Sequence, residues 1–62
     1  MKALVIIPTY NEIHNIKELI PTILNKYPEI HILIVDDNSP DGTADYVKEL
    51  SEKNPRVFLI KR

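Results

Sequence analysis

"ILIVDDNSPDGTA", Ile32 to Ala44, is an apolar run that stops abruptly on two adjacent carboxylates, Asp36 and Asp37. Its first half belongs to "IHILIV", Ile30 to Val35, whose near-continuous aliphatic content reads as a strand buried on both faces in a parallel sheet. Its second half is turn chemistry. "SPDG" reads as a type I turn with Pro40 second and Gly42 fourth, leading into a helix, so Asp41 and Thr43 read mostly as turn and cap. Strand, turn and helix in this order predict a parallel α/β unit. The paired acids then stand at the carboxyl end of a strand, where they repel each other and lose hydration unless a partner compensates.

The flanking sequence repeats the pattern. "ALVII", Ala3 to Ile7, is a second strand of the same kind, closed by Pro8, and "VFLI", Val57 to Ile60, is a third. Between the first two, Ile16, Leu19, Ile20, Ile23, Leu24 and Tyr27 recur on one face of a helix. Asn15 with Glu18 predicts an N-cap and capping box there, Pro21 predicts a kink, and Pro28 marks the end. Between the second and third strands, Ala44, Val47 and Leu50 form the inward stripe of another helix, with Glu49 and Lys53 paired on its wet side. The predicted fold is α/β, a βαβαβ parallel half of a doubly wound, Rossmann-like sheet. Ligands of such sheets bind at the carboxyl ends of the strands.

The bulk properties narrow the function. Sixty-two residues make one domain at most, with a small core and no cysteine to crosslink it. Lack of cysteine fits a reducing compartment. A net charge of −1 with interspersed signs provides no footprint for nucleic acid or an anionic membrane. His14 and His31 stand at no metal-binding spacing.

Polar residues of unusual type gather in "PTYNE", Pro8 to Glu12, and "DDNSPDGT", Asp36 to Thr43, both following strands. Gly42 is the only glycine, which excludes a glycine-rich phosphate cradle of the dinucleotide or P-loop kind. Carboxylates accept hydrogen bonds from ribose hydroxyls and base N–H groups, and a Tyr face stacks on a base. A divalent ion is the competing ligand for the acids, and helix caps and turns are the structural alternative. Asn11, with Thr9 as the weaker candidate, reads as a turn former; Glu12 suits the positive end of the first helix.

Two family resemblances bear on the choice. "ILIVDDN" alone resembles a response-regulator receiver, a Mg²⁺-binding signalling module, but there the paired acids follow the first strand rather than the second. "VIIPTYNE", "NI", the helix, "ILIVDDNSPDGTA" and "NPRVFLI" together cover nearly the whole chain. They resemble the N-terminal nucleotide-binding half of an inverting family 2 glycosyltransferase of GT-A fold, most like the polyprenol-phosphate (dolichol-phosphate) mannosyltransferases. The resemblance implies that Pro8, Tyr10, Glu12, Val35 and Asp37 line a donor-nucleotide pocket, with Asp37 the strongest contact and Asp36 supporting the loop from behind. It implies transfer of a sugar, mannose from GDP-mannose above all, to a polyprenyl or dolichyl phosphate at the cytoplasmic membrane face. It implies Mg²⁺ or Mn²⁺ for the full enzyme, held by a later Asp-x-Asp motif outside this chain, and no catalytic residue within residues 1–62. The chain is thus expected to be the N-terminal part of a longer enzyme, inactive alone. An inert βαβαβ scaffold is the remaining alternative.

Overall fold

The computed structural model describes residues 3–62. The elements follow as β1 (Ala3–Thr9), α1 (Ile13–Lys26), β2 (Ile30–Asp36), α2 (Thr43–Lys53) and β3 (Val57–Lys61). The three strands are parallel in the order β1-β2-β3, as the sequence predicts. Because each crossover steps one strand in the same direction with the usual right hand, both helices fall on one face of the sheet. The core lies there: Ile16 and Ile20 of α1, Ile32 and Ile34 of β2, Val47 of α2 and Val57 of β3 are buried.

That layering corrects one expectation. β1 reads as a strand covered on both faces, yet Leu4 is 53% and Ile6 60% exposed, and Phe58 and Ile60 of β3 are also exposed. The run of aliphatics records what a strand can tolerate, whereas the placement of the helices decides which face is covered. His31 packs edge-on against Phe58 on this open face, with ring centroids 5.9 Å apart.

The boundaries carry further corrections. β1 does not close at Pro8 but runs on to Thr9. The Thr9 carbonyl accepts from the Asp37 N–H at 3.0 Å, so Thr9 faces β2 and its neighbour Pro8 has its missing donor on the open edge. Thr9 is therefore a buried strand residue rather than a turn former. α1 begins at Ile13, so neither Asn15 nor Glu18 caps it; Glu12 holds the N-cap position without a side-chain bond. As expected it does not stop at Pro21, but its stripe is narrower than the periodicity predicts, because Leu19 (41%) and Tyr27 (46%) are exposed.

At the amino ends of β2 and β3, Arg56 replaces a glycine C-cap. Its guanidinium donates to the carbonyls of Leu24 (2.8 Å), Tyr27 (2.9 Å) and Ile30 (3.1 Å). A cation on orphan carbonyls at a helix C-terminus is favourable both as hydrogen bond and as charge against the helix dipole. This clip holds α1 to the start of β2 and leaves the opposite end of the sheet to the two polar loops.

Candidate functional site

The strand pleat separates the two adjacent acids. Register pairs Thr9 with Asp36 and Asp36 with Lys61, and Ile32 and Ile34 on the same side of β2 face the helices. Pro8 and Val35 pair on the opposite, uncovered side. Alternation therefore sends Asp36 inward under the helices and sets Asp37 on the open side, where it is exposed.

Asp36 is fully buried and fully occupied. Its carboxylate accepts from the Thr9 hydroxyl (2.7 Å), the Ser39 hydroxyl (2.6 Å) and the Ser39 N–H (2.8 Å). Burial pushes its pKa up, but the hydrogen bonds from Ser39 and Thr9 together outweigh it and hold the group below the ordinary carboxylate value. Charge-assisted bonds of this kind are about twice as strong as neutral ones, which is how a strand end tolerates the ion.

Asp41 fastens the second loop to both helices. One carboxylate oxygen accepts from the Ile13 N–H at 3.1 Å, and the other accepts from the Thr43 N–H at 3.0 Å and the Thr43 hydroxyl. The Thr43 hydroxyl is the main reason its pKa lies low, with burial opposing and the Ile13 and Thr43 backbone donors adding to it. The predicted cap role of Asp41 is thus present and doubled, since a residue of the second loop caps the helix that follows the first. The same carboxylate answers orphan donors at both helix N-termini, the groups that serve as phosphate cradles in glycine-rich loops. Gly42 enters α2 at φ +88° and Asn11 and Asn38 sit at +53° and +56°, so both loops turn through the left-handed region. The predicted turn role of Asn11 is visible in that angle.

On the open side of the sheet, at the carboxyl ends of β1 and β2, Pro8, Tyr10, Glu12, Val35 and Asp37 line one shallow hollow of about 320 Å³. All five predicted site residues are thereby brought together. Thr9 and Arg62 complete the lining. Arg62 escaped the sequence reading, although strand parity was the signal available: it follows β3 one residue after Lys61, the partner of Asp36, and its N–H donates to the Asp36 carbonyl at 2.8 Å. Ser39 also escaped it, read only as a turn residue. The hollow combines an apolar floor from Pro8 and Val35, an exposed aromatic face from Tyr10, two carboxylate acceptors and one guanidinium. The chemistry of such a lining complements a flat heterocycle with hydroxyls and N–H donors. A second hollow, of about 480 Å³ beside Lys48, Ser51 and Phe58, has no comparable convergence of acceptors.

Among the described residues, no group of three or more His, Cys, Asp or Glu side chains converges in a way that fits a metal ion. Asp36 and Asp41 are already committed to protein donors.

Comparison with known proteins places this architecture. Residues 4–62 match the family model Glycosyl transferase family 2. The chain is 48% identical over 64 residues to the dolichol-phosphate mannosyltransferase of Pyrococcus furiosus, covering all of this chain and 18% of that protein. It is 45% identical over 62 residues to the polyprenol monophosphomannose synthase of Mycolicibacterium smegmatis, covering 98% of this chain and 23% of that protein. Among solved structures, the mannosyltransferase PcManGT from Pyrobaculum calidifontis, in complex with GDP-Man and Mn²⁺, superposes with a TM-score of 0.75 at 31% identity. That match covers 98% of this chain and 19% of that one. The chain thus spans less than a quarter of the length of these relatives. Its βαβαβ sheet is the GT-A type, the receiver alternative falls away, and the chain belongs to glycosyl transferase family 2.

Proposed function

We propose that this chain supplies the donor-nucleotide half-site of an inverting glycosyltransferase that moves mannose from GDP-mannose to a polyprenyl or dolichyl phosphate. The observation that carries this reading is the single hollow at the carboxyl strand ends that gathers Pro8, Tyr10, Glu12, Val35 and Asp37. Mannosyltransferases among the similar proteins, one of them in complex with GDP-Man, support the choice of donor. In this reading Tyr10 stacks on the base, Pro8 and Val35 form the floor beneath it, and Asp37 and Glu12 accept from base and ribose donors. Arg62 adds a cation on the rim.

The remaining parts of the proposal concern the whole enzyme. Residues 1–62 form the N-terminal portion of its GT-A domain, and the acceptor phosphate and the divalent ion, Mg²⁺ or Mn²⁺, are engaged by other segments. Mn²⁺ in the PcManGT complex supports a divalent requirement. That ion, when bound, supplies charge for the leaving diphosphate. The enzyme works at the cytoplasmic face of the membrane, drawing its lipid acceptor from the bilayer. No helix among the described residues is long and apolar enough to cross a membrane.

An amide-resolved NMR titration of the labelled chain with guanosine diphosphate, uridine diphosphate and Mg²⁺, each alone, tests the half-site. The expected result is a set of shifts confined to Tyr10, Glu12 and Val35–Asp37 with guanosine diphosphate, lost in Asp37→Asn. Unchanged affinity in folded Asp37→Asn would sink the pocket assignment.

A further inference from the structure

We propose that Ser39 is a positioning residue for this nucleotide site, transmitting the order of the buried acid to the loop that carries Tyr10 and Glu12; the inference rests on the donor-site reading above. Ser39 belongs to the second loop and does not line the hollow. Its hydroxyl has one proton and two lone pairs, and two of these capacities are used, one within its own strand end and loop and one across the gap to the first loop. The proton goes to Asp36 Oδ1 at 2.6 Å, and a lone pair accepts the Asn11 N–H at 2.9 Å. A third bond, from the Ser39 N–H to Asp36 Oδ2 at 2.8 Å, fixes where the hydroxyl stands.

Asn11 is the residue that needs holding. It lies at φ +53°, a region that costs an L residue free energy unless its surroundings enforce it. Tyr10 and Glu12 flank it directly, so the rotation of the Asn11 peptide units sets where the aromatic face and the carboxylate point. The relay therefore runs from Asp36, immobilised under the helices, through the Ser39 hydroxyl to the Asn11 amide. Aspartate polarises the hydroxyl and makes its oxygen a better acceptor, which matters for an exposed bond that competes with water.

The geometry also makes the role separable from folding. Without the Ser39 hydroxyl, Asp36 keeps the Thr9 hydroxyl at 2.7 Å and the Ser39 N–H at 2.8 Å, so both carboxylate oxygens retain a donor. Only the Asn11 N–H loses its partner. Ser39→Ala should accordingly fold, while the first loop loses its tether.

The test uses the 62-residue chain, with guanosine diphosphate as probe, and reads two quantities: the hydrogen-exchange rate of the Asn11 amide and nucleotide affinity. Ser39→Ala is expected to accelerate Asn11 exchange and weaken binding roughly tenfold, the size of one lost tethering bond. Ser39→Thr, which keeps the hydroxyl, should recover both. Ser51→Ala, which deletes a hydroxyl bonded to the Lys48 carbonyl on α2, should move neither. Affinity within twofold of the unaltered chain in Ser39→Ala would overturn the positioning role alone, as would an Asn11 amide that exchanges at the same rate. Failure of the unaltered chain to bind guanosine diphosphate would overturn the donor-site reading, and the positioning role with it.

Discussion

Asp36 and Asp37 are consecutive and chemically identical, yet they occupy opposite worlds. Asp36 faces the helices, has no accessible surface and satisfies its carboxylate with Thr9 and Ser39. Asp37 faces the open side, lines the hollow and contributes only its backbone N–H to the sheet, through the Thr9 carbonyl. The pleat alone makes the difference, because successive side chains of a strand leave opposite faces. Its lesson is that one acid is spent on building the strand end so that the other can be presented from a rigid position. A ligand-binding carboxylate on a loose loop would lose affinity to its own ordering entropy.

Removing either acid is the sharpest way to break that comparison. Asp36→Ala should cost about 3 kcal/mol of stability, because it strands the buried Thr9 hydroxyl and releases the second loop. Chemical denaturation monitored by circular dichroism measures it. Asp37→Asn, by contrast, should leave the denaturation midpoint unchanged, with its effect confined to nucleotide binding. Equal destabilisation by the two would show that the inward and outward assignments are wrong.

Acid titration tests the same contrast more gently. Since the folded-state pKa of Asp36 is depressed below its ordinary 3.8, its contribution to stability is complete above that value. It is lost as pH falls through the lower, folded-state pKa. Asp41 has the same sign, led by the Thr43 hydroxyl. Melting curves from pH 6 down to about pH 2 should therefore show an acid-side loss of stability that begins near pH 4. Asp36→Asn should flatten the part that belongs to Asp36 and retain the part that belongs to Asp41.

The smallest effect concerns the two faces of the sheet. Ile6→Thr on the open side should change stability by only about 0.5 kcal/mol, since Ile6 is 60% exposed and Thr suits a strand. Ile34, one pleat across on β2 and fully buried, is the counterpart against which thermal melts should reveal a much larger penalty on shortening to Ala. A large loss from Ile6→Thr would mean that the open face is covered in solution.

Much of this was legible in the residues. Aliphatic runs closed by polar turns announced the strands, and periodic Ile16, Ile20, Ala44 and Val47 announced the inward helix faces. The positions of Pro8, Tyr10, Glu12, Val35 and Asp37 after two parallel strands were enough to expect them together. Helix α1's cap was not legible, because the acceptor for Ile13 is Asp41, 28 residues away, and local capping patterns register only near neighbours. Arg56's grip on the end of α1 was hidden for the same reason.

Sequence by itself determined the order of elements, the parallel sheet and the loops that carry the chemistry, since those depend on local periodicity and turn stereochemistry. It could not tell which sheet face would stay bare, because an aliphatic strand carries no record of where its covering helices lie. Nor could it show that Ser39 and Asp41 lace the two loops together. Those bonds exist only once the crossover brings residues 11 and 39, and 13 and 41, within hydrogen-bond reach. The pleat turned the two acids to opposite faces, and tertiary structure decided which of those faces the helices cover.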